Sequence, residues 1–454
     1  MSTLSSTITS LADTFSGQLL QAADAGYDGA RRVHNGLIDK HPAVIAQCLG
    51  IADIADAVRL AREHGLEVSV RGGGHNVAGR AVTDGGVMID LSGLRSVHVD
   101  AGRRTARAGG GAIWRDFNRE TQAFGLATTG GVVGSTGVGG LTLGGGLGWL
   151  MPKYGMALDN LLSADVVLAD GTIVRAADDE NEDLFWAVRG GGGNFGVAGS
   201  FQFRLHDVGP TLIGGMAAWP FEHARDVLRF FRDFTRRADD DVMAFAGLLT
   251  APDGQTKLAA IVVGHFGPAN DGQAAVAPIK RFGAPIVDGL GPIDYSALNG
   301  MLDAAFPRGA MNYWKTHFLD ELSDDAIDAL IAQYARSPTP MSQVLLEHFH
   351  GAASRVPVAD TAYALRSEGY NSLVLAQWTD AVDNERCIDW ARQTYTSLQP
   401  FVGAQRYVNY LDDDDSDDTV LSSVYGPNLA RLRKIKKQYD PDNVFHMNVN
   451  ITPE

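Results

Sequence analysis

Where the glycines fall constrains this chain more than any other feature of its sequence. It has 53 glycines in 454 residues, well above the roughly 7% usual in globular proteins, and the excess lies between residues 71 and 199. Three runs carry it: VRGGGHNVAG at 70–79, GSTGVGGLTLGGGLGWL at 134–150 and GGGNFG at 191–196. A residue without a Cβ tolerates positive φ and lets backbone come very close to another molecule. Three such turns at element boundaries point to one long ligand lying across several loops. Backbone N–H groups in glycine-rich turns bind phosphate oxygens. The expected ligand is therefore a large phosphate-bearing cofactor, with the charge of Arg71 beside it and His75 directed along it.

Length and composition bound the rest. A chain of 454 residues exceeds one ordinary core, and two domains are expected. A hydrophobic content of 45% with 20% charged residues fits a soluble globular protein. The net charge of -16 argues against nucleic acid or an anionic membrane surface as a partner. Two cysteines, Cys48 and Cys387, form no CxxC pair and no disulfide framework. The segment MSTLSSTITSLADTFSG has neither a basic nor a continuous apolar stretch, and no later run reaches membrane-spanning length. A cytoplasmic protein is expected.

The pattern along the chain divides it in three. From residue 42 to about 205, helical and strand-like stretches alternate: PAVIAQCLG, then IADIADAVRLAREHG with Ile54, Val58 and Ala61 on one face, then LEVSV and GVMIDLS. SADVVLADGTIVRA reads as a hairpin turning at Asp170-Gly171, and ENEDLFWAVRG as a short helix. The middle third mixes helices such as FEHARDVLRFFRDFTRRA with strands such as TKLAAIVVGHF and NSLVLAQWTD, an α+β unit with a sizeable sheet. Near the end, LARLRKIKKQYDP is a basic helix stopped by Pro441. The acidic run DDDDSDD at 412–418 reads as a solvated loop, since it lacks the Gly and terminal Glu of a calcium loop.

Several chemistries drop out. The sequence has no Walker A loop, GxSxG, HExxH or CxxC. Its one GxGxxG, GGGNFG, invites a dinucleotide-binding Rossmann turn and an NAD-dependent dehydrogenase. That fingerprint should follow a strand and open a helix, whereas here it follows the helical DLFWAVRG and leads into the alternating VAGSFQFRL.

The ordered set RGGGHN, GGLTLGGGLGWLMPKYGMALDN, DLFWAVRGGGGNFGV and YDPDNVFHMNVNITP closely resembles the berberine-bridge-enzyme-like FAD-linked oxidases. These belong to the vanillyl-alcohol-oxidase, or PCMH-type, flavoprotein superfamily. The resemblance covers roughly residues 35–454 and is looser in the middle third. It implies an α+β fold: a PCMH-type FAD-binding domain at 35–205, an inserted antiparallel-sheet substrate domain flanked by helices at 206–405, and a C-terminal berberine-bridge-type segment at 406–454 that completes the FAD domain.

By the same resemblance, His75 is bonded covalently to the 8α carbon of FAD, while Arg71, Gly72, Gly73, Gly74 and Asn76 line the pyrophosphate. Gly139, Gly140 and Gly145 sit in matching cofactor turns, as do Gly193, Asn194, Gly196 and Val197, and Asn448 belongs to the tail that reaches back to the flavin ring. Many relatives have a second, cysteinyl tether where this chain has Val133. A single covalent bond is therefore expected, as in the bacterial, monocovalent 6-hydroxynicotine-oxidase type, together with a compact substrate pocket.

The implied reaction removes hydride from a C–H next to oxygen or nitrogen of a compact alkaloid-like, secondary-metabolite or alcohol substrate, and O2 is reduced to hydrogen peroxide. A base must take the acidic proton. Tyr410 in YVNYLD is the first choice and would need a nearby cation or an anion-stabilising hydrogen bond, since an unperturbed tyrosine titrates near 10. Tyr154 in PKYGMALDN, and Glu347 and His348 in LLEHFHG, are the other candidates. Alternation along a strand puts Glu347 on the face opposite His348 and His350, so only one set can face the flavin. Tyr313, Trp314 and Lys315 are candidate pocket residues. No metal is expected, and the assembly is a monomer or homodimer. Two other readings fit the same residues: a flavin dehydrogenase with a different electron acceptor, and a flavin-binding protein without turnover.

Overall fold

Strand order explains where the glycine turns converge. The structure is a computed structural model that describes residues 3–415 and 418–454. Near the N-terminus, strands Val44–Gln47 and Val68–Arg71 are joined by helix Ile51–His64. Ile54, Val58 and Ala61 are fully buried on that helix, as their spacing requires. Both strands run parallel to Val87–Asp90 between them, and Gln18–Leu20 adds on antiparallel. Val68–Arg71 is the edge strand, so the RGGGH turn leaves the sheet at its rim.

A second sheet, antiparallel, orders Val97–Asp100, Thr105–Gly109, Val197–Arg204, Leu161–Val167 and Ile173–Ala177. Its last two strands form the hairpin around Asp170-Gly171. The GGGNFG turn lies between helix Glu182–Val188 and the central strand Val197–Arg204, the reverse of the strand-to-helix order of a Rossmann turn.

The largest sheet is antiparallel and holds Val287–Asp288, Thr211–Pro220, Lys257–His265, Val242–Thr250, Gln343–Phe349, Gly369–Trp378 and Met311–Leu319 in that order. Side chains alternate between its faces. One set, including Ala244, Ala246, Ile261, Leu346 and Val374, packs under helices Ala224–Thr235, Asp324–Tyr334 and Asn384–Leu398 through Phe231, Leu330 and Trp390. The other set, including Phe245, Val262, Leu345, Glu347 and Leu373, turns toward the glycine-rich part. Strand Gly369–Trp378 is buried along its whole length, because both of its faces are covered.

Specific contacts hold that second face in place. Asn35 donates to the carbonyls of Val77 (2.7 Å) and Asn312 (2.9 Å). Asp303 accepts from the Gly134 N–H at 2.6 Å, and Asn299 donates to Gly131 O at 2.9 Å. Arg366 grips Asp159 with two 2.8 Å bonds. This planar fork holds two backbone segments in one geometry.

The acidic run is solvated only in part where the structure describes it: Asp413 and Asp414 are exposed, but its other two acids are not. Asp412 and Asp415 are buried. Asp412 accepts from the Trp314 N–H at 2.9 Å, and Asp415 bridges Lys315 (3.1 Å) and Arg406 (2.8 Å). Buried carboxylates persist only when paired, and here the pairing ties the segment to the edge strand Met311–Leu319. Ser416 and Asp417 lie outside the described residues.

The tail is anchored by a fully buried ion pair within helix Leu429–Tyr439 and its cap. Lys436 Nζ donates to Asp440 (2.6 Å), to Asn194 O (2.7 Å) and to Phe445 O (2.9 Å). Asp440 in turn accepts from the N–H groups of Val444 and Phe445. Removing one partner of such a pair strands the other charge in the interior. Lys436→Met is expected to lower the unfolding free energy by about 3–5 kcal/mol, measured by urea denaturation, whereas substitution of the exposed Lys437 should leave it nearly unchanged.

Candidate active site

The three glycine runs meet across one elongated cavity. Its wall includes Gly72, Gly73, Gly74 and His75 from the first run, Gly137, Gly139, Gly140 and Gly144 from the second, and Gly192, Gly193 and Gly196 from the third, with Val197, Asn76 and Asn448 beside them. The first two runs touch backbone to backbone: a Cβ on Gly73 would lie 2.3 Å from Gly137 N, and one on Gly137 would lie 2.4 Å from Gly73 N. Both positions must be glycine. At Gly140 a Cβ would meet nothing within 4 Å, so a side chain there would enter open space. A long, backbone-walled cleft of this kind suits a dinucleotide, whose pyrophosphate needs N–H donors more than side chains.

Other sequence candidates lie elsewhere. Arg71 does not offer its charge to the cleft: its guanidinium pairs with the buried Asp90 and donates to Ala30 O (2.5 Å) and Arg32 O (3.0 Å). The reason is that an alternating strand sends that side chain into the sheet's own edge. Gly145 packs against Met156, Tyr363 and Tyr407. Asn194 is fully buried, donating to Gly191 O and Val449 O and accepting from the Ile451 N–H, so it ties turn to tail. Tyr154 is stacked on His206 with ring centroids 3.8 Å apart and does not line the cavity. His348 stacks on His350 (4.0 Å) on the face away from the cavity, and burial pushes its titration down. The strand alternation that separates it from Glu347 is the cause. Tyr313 and Lys315 point away from Trp314 for the same reason, and only Trp314 lines the cavity.

Beyond the glycine turns the wall becomes the second face of the large sheet. It is apolar: Met216, Phe245, Val262, Leu345, Leu373 and Trp314. Glu347 is the one carboxylate lining the cavity among the described residues. Its Oε1 accepts from the Tyr410 hydroxyl at 3.0 Å and its Oε2 from Asn371 Nδ2 at 2.5 Å. Thr316 donates to Asn371 Oδ1 at 3.0 Å and so fixes which end of the amide faces Glu347. Loss of water around the carboxylate pushes Glu347 up to about 7, against the two hydrogen bonds that favour its charged form. Burial, with the Glu347 charge next in weight, drives Tyr410 well above 10. Tyr410 therefore has a carboxylate, not a cation, beside its hydroxyl.

Three further side chains, none of them a candidate from the sequence, stand at the site. Ser135 and His34 both touch His75: Ser135 Oγ lies 2.8 Å from His75 Nε2, and the His34 ring stacks on it at 3.8 Å. Arg80 is the one cation lining the cavity, and it has no ion-pair partner among the described residues. Val133 packs with Val77, Phe306 and Trp314 at the cavity wall, while Cys48 and Cys387 are buried in separate cores. Asp239, Asp241 and His265 bring ligand-type atoms within 4.8 Å of one another. Lys153 Nζ stands 2.7 Å from Asp241 there, and none of the three lines the cavity.

Comparison with known proteins gives the same picture. Residues 42–177 match the FAD binding domain family and residues 406–452 the berberine and berberine-like family. The (R)-6-hydroxynicotine oxidase of Paenarthrobacter nicotinovorans is 31% identical over 96% of this chain and 97% of its own. An uncharacterized FAD-linked oxidoreductase of Bacillus subtilis (strain 168) is 28% identical over 96% of this chain and 98% of its own. The crystal structure of 6-hydroxy-D-nicotine oxidase from Arthrobacter nicotinovorans superposes with a TM-score of 0.88 at 30% identity, covering 97% of this chain and 99% of that one. Glucooligosaccharide oxidase from Acremonium strictum, described as carrying a 6-S-cysteinyl, 8α-N1-histidyl FAD, shares the fold with a TM-score of 0.88 at 24% identity over 100% of both chains. No helix is long and apolar enough to cross a membrane among the described residues.

The environment of Glu347 has a consequence for stability. Its carboxyl titrates at about 7 in the folded protein against 4.5 when exposed. Between those two values the folded state holds a proton that the unfolded state has released, so stability falls as pH rises through that window. Urea titrations are expected to show this slope in the native sequence and a shallower one in Glu347→Gln.

Proposed function

The chain belongs to the berberine-bridge-like FAD-linked oxidoreductases, and on that premise we propose that it is an oxidase carrying its flavin covalently on His75. The proposed division is a cofactor unit from residues 35–205 and 406–454, with 206–405 as the substrate unit. The observation that carries the reading is the single cavity, backbone-walled at the His75 end and apolar at the other, where Glu347 is the one lining carboxylate among the described residues.

Bound flavin supplies a two-electron acceptor for the hydride leaving a C–H next to oxygen or nitrogen, and we infer that O2 then becomes hydrogen peroxide. The chain's own groups supply the rest. Glu347, not Tyr410, is the base: a carboxyl near pH 7 has a substantial ionised fraction at neutral pH and still draws a proton from a substrate hydroxyl or ammonium. Tyr410 keeps its proton and, with Asn371, holds the carboxylate aimed. Phe245, Leu345, Leu373 and Trp314 exclude water and take up the apolar body of a compact alkaloid-like amine, secondary metabolite or alcohol. The backbone N–H groups of the glycine turns hold the pyrophosphate, and Arg80 supplies the counter-charge that Arg71 cannot. With Val133 where a cysteinyl tether would stand, the attachment is single.

The visible spectrum of the purified protein, and of its acid-precipitated pellet, tests the cofactor. Yellow colour should stay with the pellet and leave it in His75→Ala; protein that is colourless even after FAD is added would end the reading. For the chemistry, peroxide release is measured across a panel of compact amines and alcohols. With a substrate found, Glu347→Gln should lower kcat/KM by about 10²–10⁴ and remove a rise in activity through pH about 7. Tyr410→Phe removes a bond that favours the carboxylate, so that rise should move to higher pH. Flavin bleaching without peroxide would instead favour a dehydrogenase.

A further inference from the structure

His75 sits in an arrangement that a simple tether would not require. Gly73 and Gly137 meet backbone to backbone, which brings the turn holding Ser135 up against the turn holding His75. Ser135 Oγ then lies 2.8 Å from His75 Nε2, while Nδ1 makes no hydrogen bond to the described residues and the ring borders the cavity. On its other side the His75 ring is covered by His34, with centroids 3.8 Å apart and planes 21° apart. His34 is 5% exposed, and its Nε2 is buried with no partner among the described residues. Its main chain is pinned twice, the N–H donating to Gly74 O at 2.9 Å and the carbonyl accepting from the Gly309 N–H at 2.9 Å.

We propose that Ser135 and His34 are positioning residues that prepare His75 for attachment to the flavin, Ser135 by fixing the ring tautomer and His34 by fixing the ring plane. The proposal rests on the covalent reading of His75 given above. Attachment needs a neutral imidazole whose cavity-facing nitrogen has a free lone pair. Burial supports neutrality, pushing His75 down to about 3 and His34 to about 4, and two uncharged rings stack without repulsion. If Nε2–H donates to Ser135, the lone pair is on Nδ1, the nitrogen left without a hydrogen-bond partner among the described residues.

A hydroxyl is suited to both sides of the reaction because one oxygen can accept or donate. Before attachment Ser135 accepts from Nε2–H; afterwards Nε2 has no hydrogen, and the hydroxyl donates to it. In the balance, one C–H bond of the flavin 8-methyl group and the Nε2–H bond are lost and the Nδ1–C bond forms. The two electrons reduce the flavin itself, and dioxygen takes them with the two protons as hydrogen peroxide. His34, stacked and pinned by its backbone, keeps the ring from turning Nδ1 away and keeps water off that face.

The test measures covalent loading instead of turnover. Apoprotein from riboflavin-starved cells is mixed with FAD, and flavin fluorescence in the acid-precipitated pellet is followed with time. Native protein should load; Ser135→Ala should load about tenfold more slowly, the size of effect expected from one hydrogen bond, while Ser135→Thr should recover the rate. His34→Phe keeps a flat stacking partner and should load near the native rate, with His34→Ala about tenfold slower. Nitrogen-15 shifts of the His75 ring in the apoprotein should report one tautomer, protonated at Nε2, in the native chain and a mixture in Ser135→Ala. Circular dichroism and non-covalent FAD binding check that each variant is folded. Native protein that loads while Ser135→Ala loads equally fast with an unchanged tautomer would overturn the Ser135 role alone. A folded His34→Phe as slow as His34→Ala would overturn the stacking role. If colour leaves the native pellet altogether, the covalent reading fails and this proposal with it.

Discussion

Everything at the site depends on two backbones touching. Gly73 and Gly137 approach so closely that a Cβ on either would overlap the other's amide nitrogen. That contact sets the edge of the N-terminal parallel sheet against the turn that opens helix Val138–Leu143, and it leaves a cleft walled by peptide groups. It also brings His75 to Ser135. The contact is held from outside by side chains of the large-sheet unit and its flanking segments, with Asn35 bridging Val77 and Asn312 and Asp303 accepting from Gly134. Cofactor-side and substrate-side walls are thus registered to each other by hydrogen bonds at fixed positions, where apolar packing alone would allow sliding.

The second governing quantity is low polarity inside that cleft. Among the described residues, one carboxyl, one guanidinium and one imidazole line a surface otherwise made of peptide backbone, amide, threonine and tyrosine side chains and apolar groups. Burial then shifts each of these groups away from its charged form: the His75 imidazole is held neutral, Glu347 is pushed up to about 7, and the Tyr410 phenol stays protonated beside it. One physical cause, the loss of water, thus acts at both His75 and Glu347.

Much of this was legible in the sequence. Glycine runs at element boundaries announced a backbone-walled site, the 3.6-residue period located helix Ile51–His64, and the helix-before-turn order around GGGNFG argued against a Rossmann site. Alternation along Gln343–Phe349 separated Glu347 from His348 before any coordinates. Other readings failed for lack of partner information. Arg71 looked like a phosphate ligand because Asp90, nineteen residues away, is invisible to local pattern. Nothing in YVNYLD reveals that a carboxylate from another strand meets the Tyr410 hydroxyl. The acidic run looked solvated because Lys315 and Arg406, which pair with Asp415, come from separate segments. His34 and Arg80 belong to no motif, Ser135 is an unremarked residue of the second glycine run, and all three acquire meaning only from their neighbours.

The sequence by itself determined the element types, the approximate order of the sheets and the places where no side chain can stand, since these follow from residue spacing and the absence of a Cβ, properties local to the chain. Only the tertiary structure decided which charges are paired, which hydroxyl faces which carboxyl, and which imidazole nitrogen meets a serine. Those outcomes turn on which segments the fold brings together, some of them 60 or more positions apart, as with His75 and Ser135 or Glu347 and Tyr410. They turn also on how much water the assembled walls leave behind, which no stretch of sequence encodes on its own.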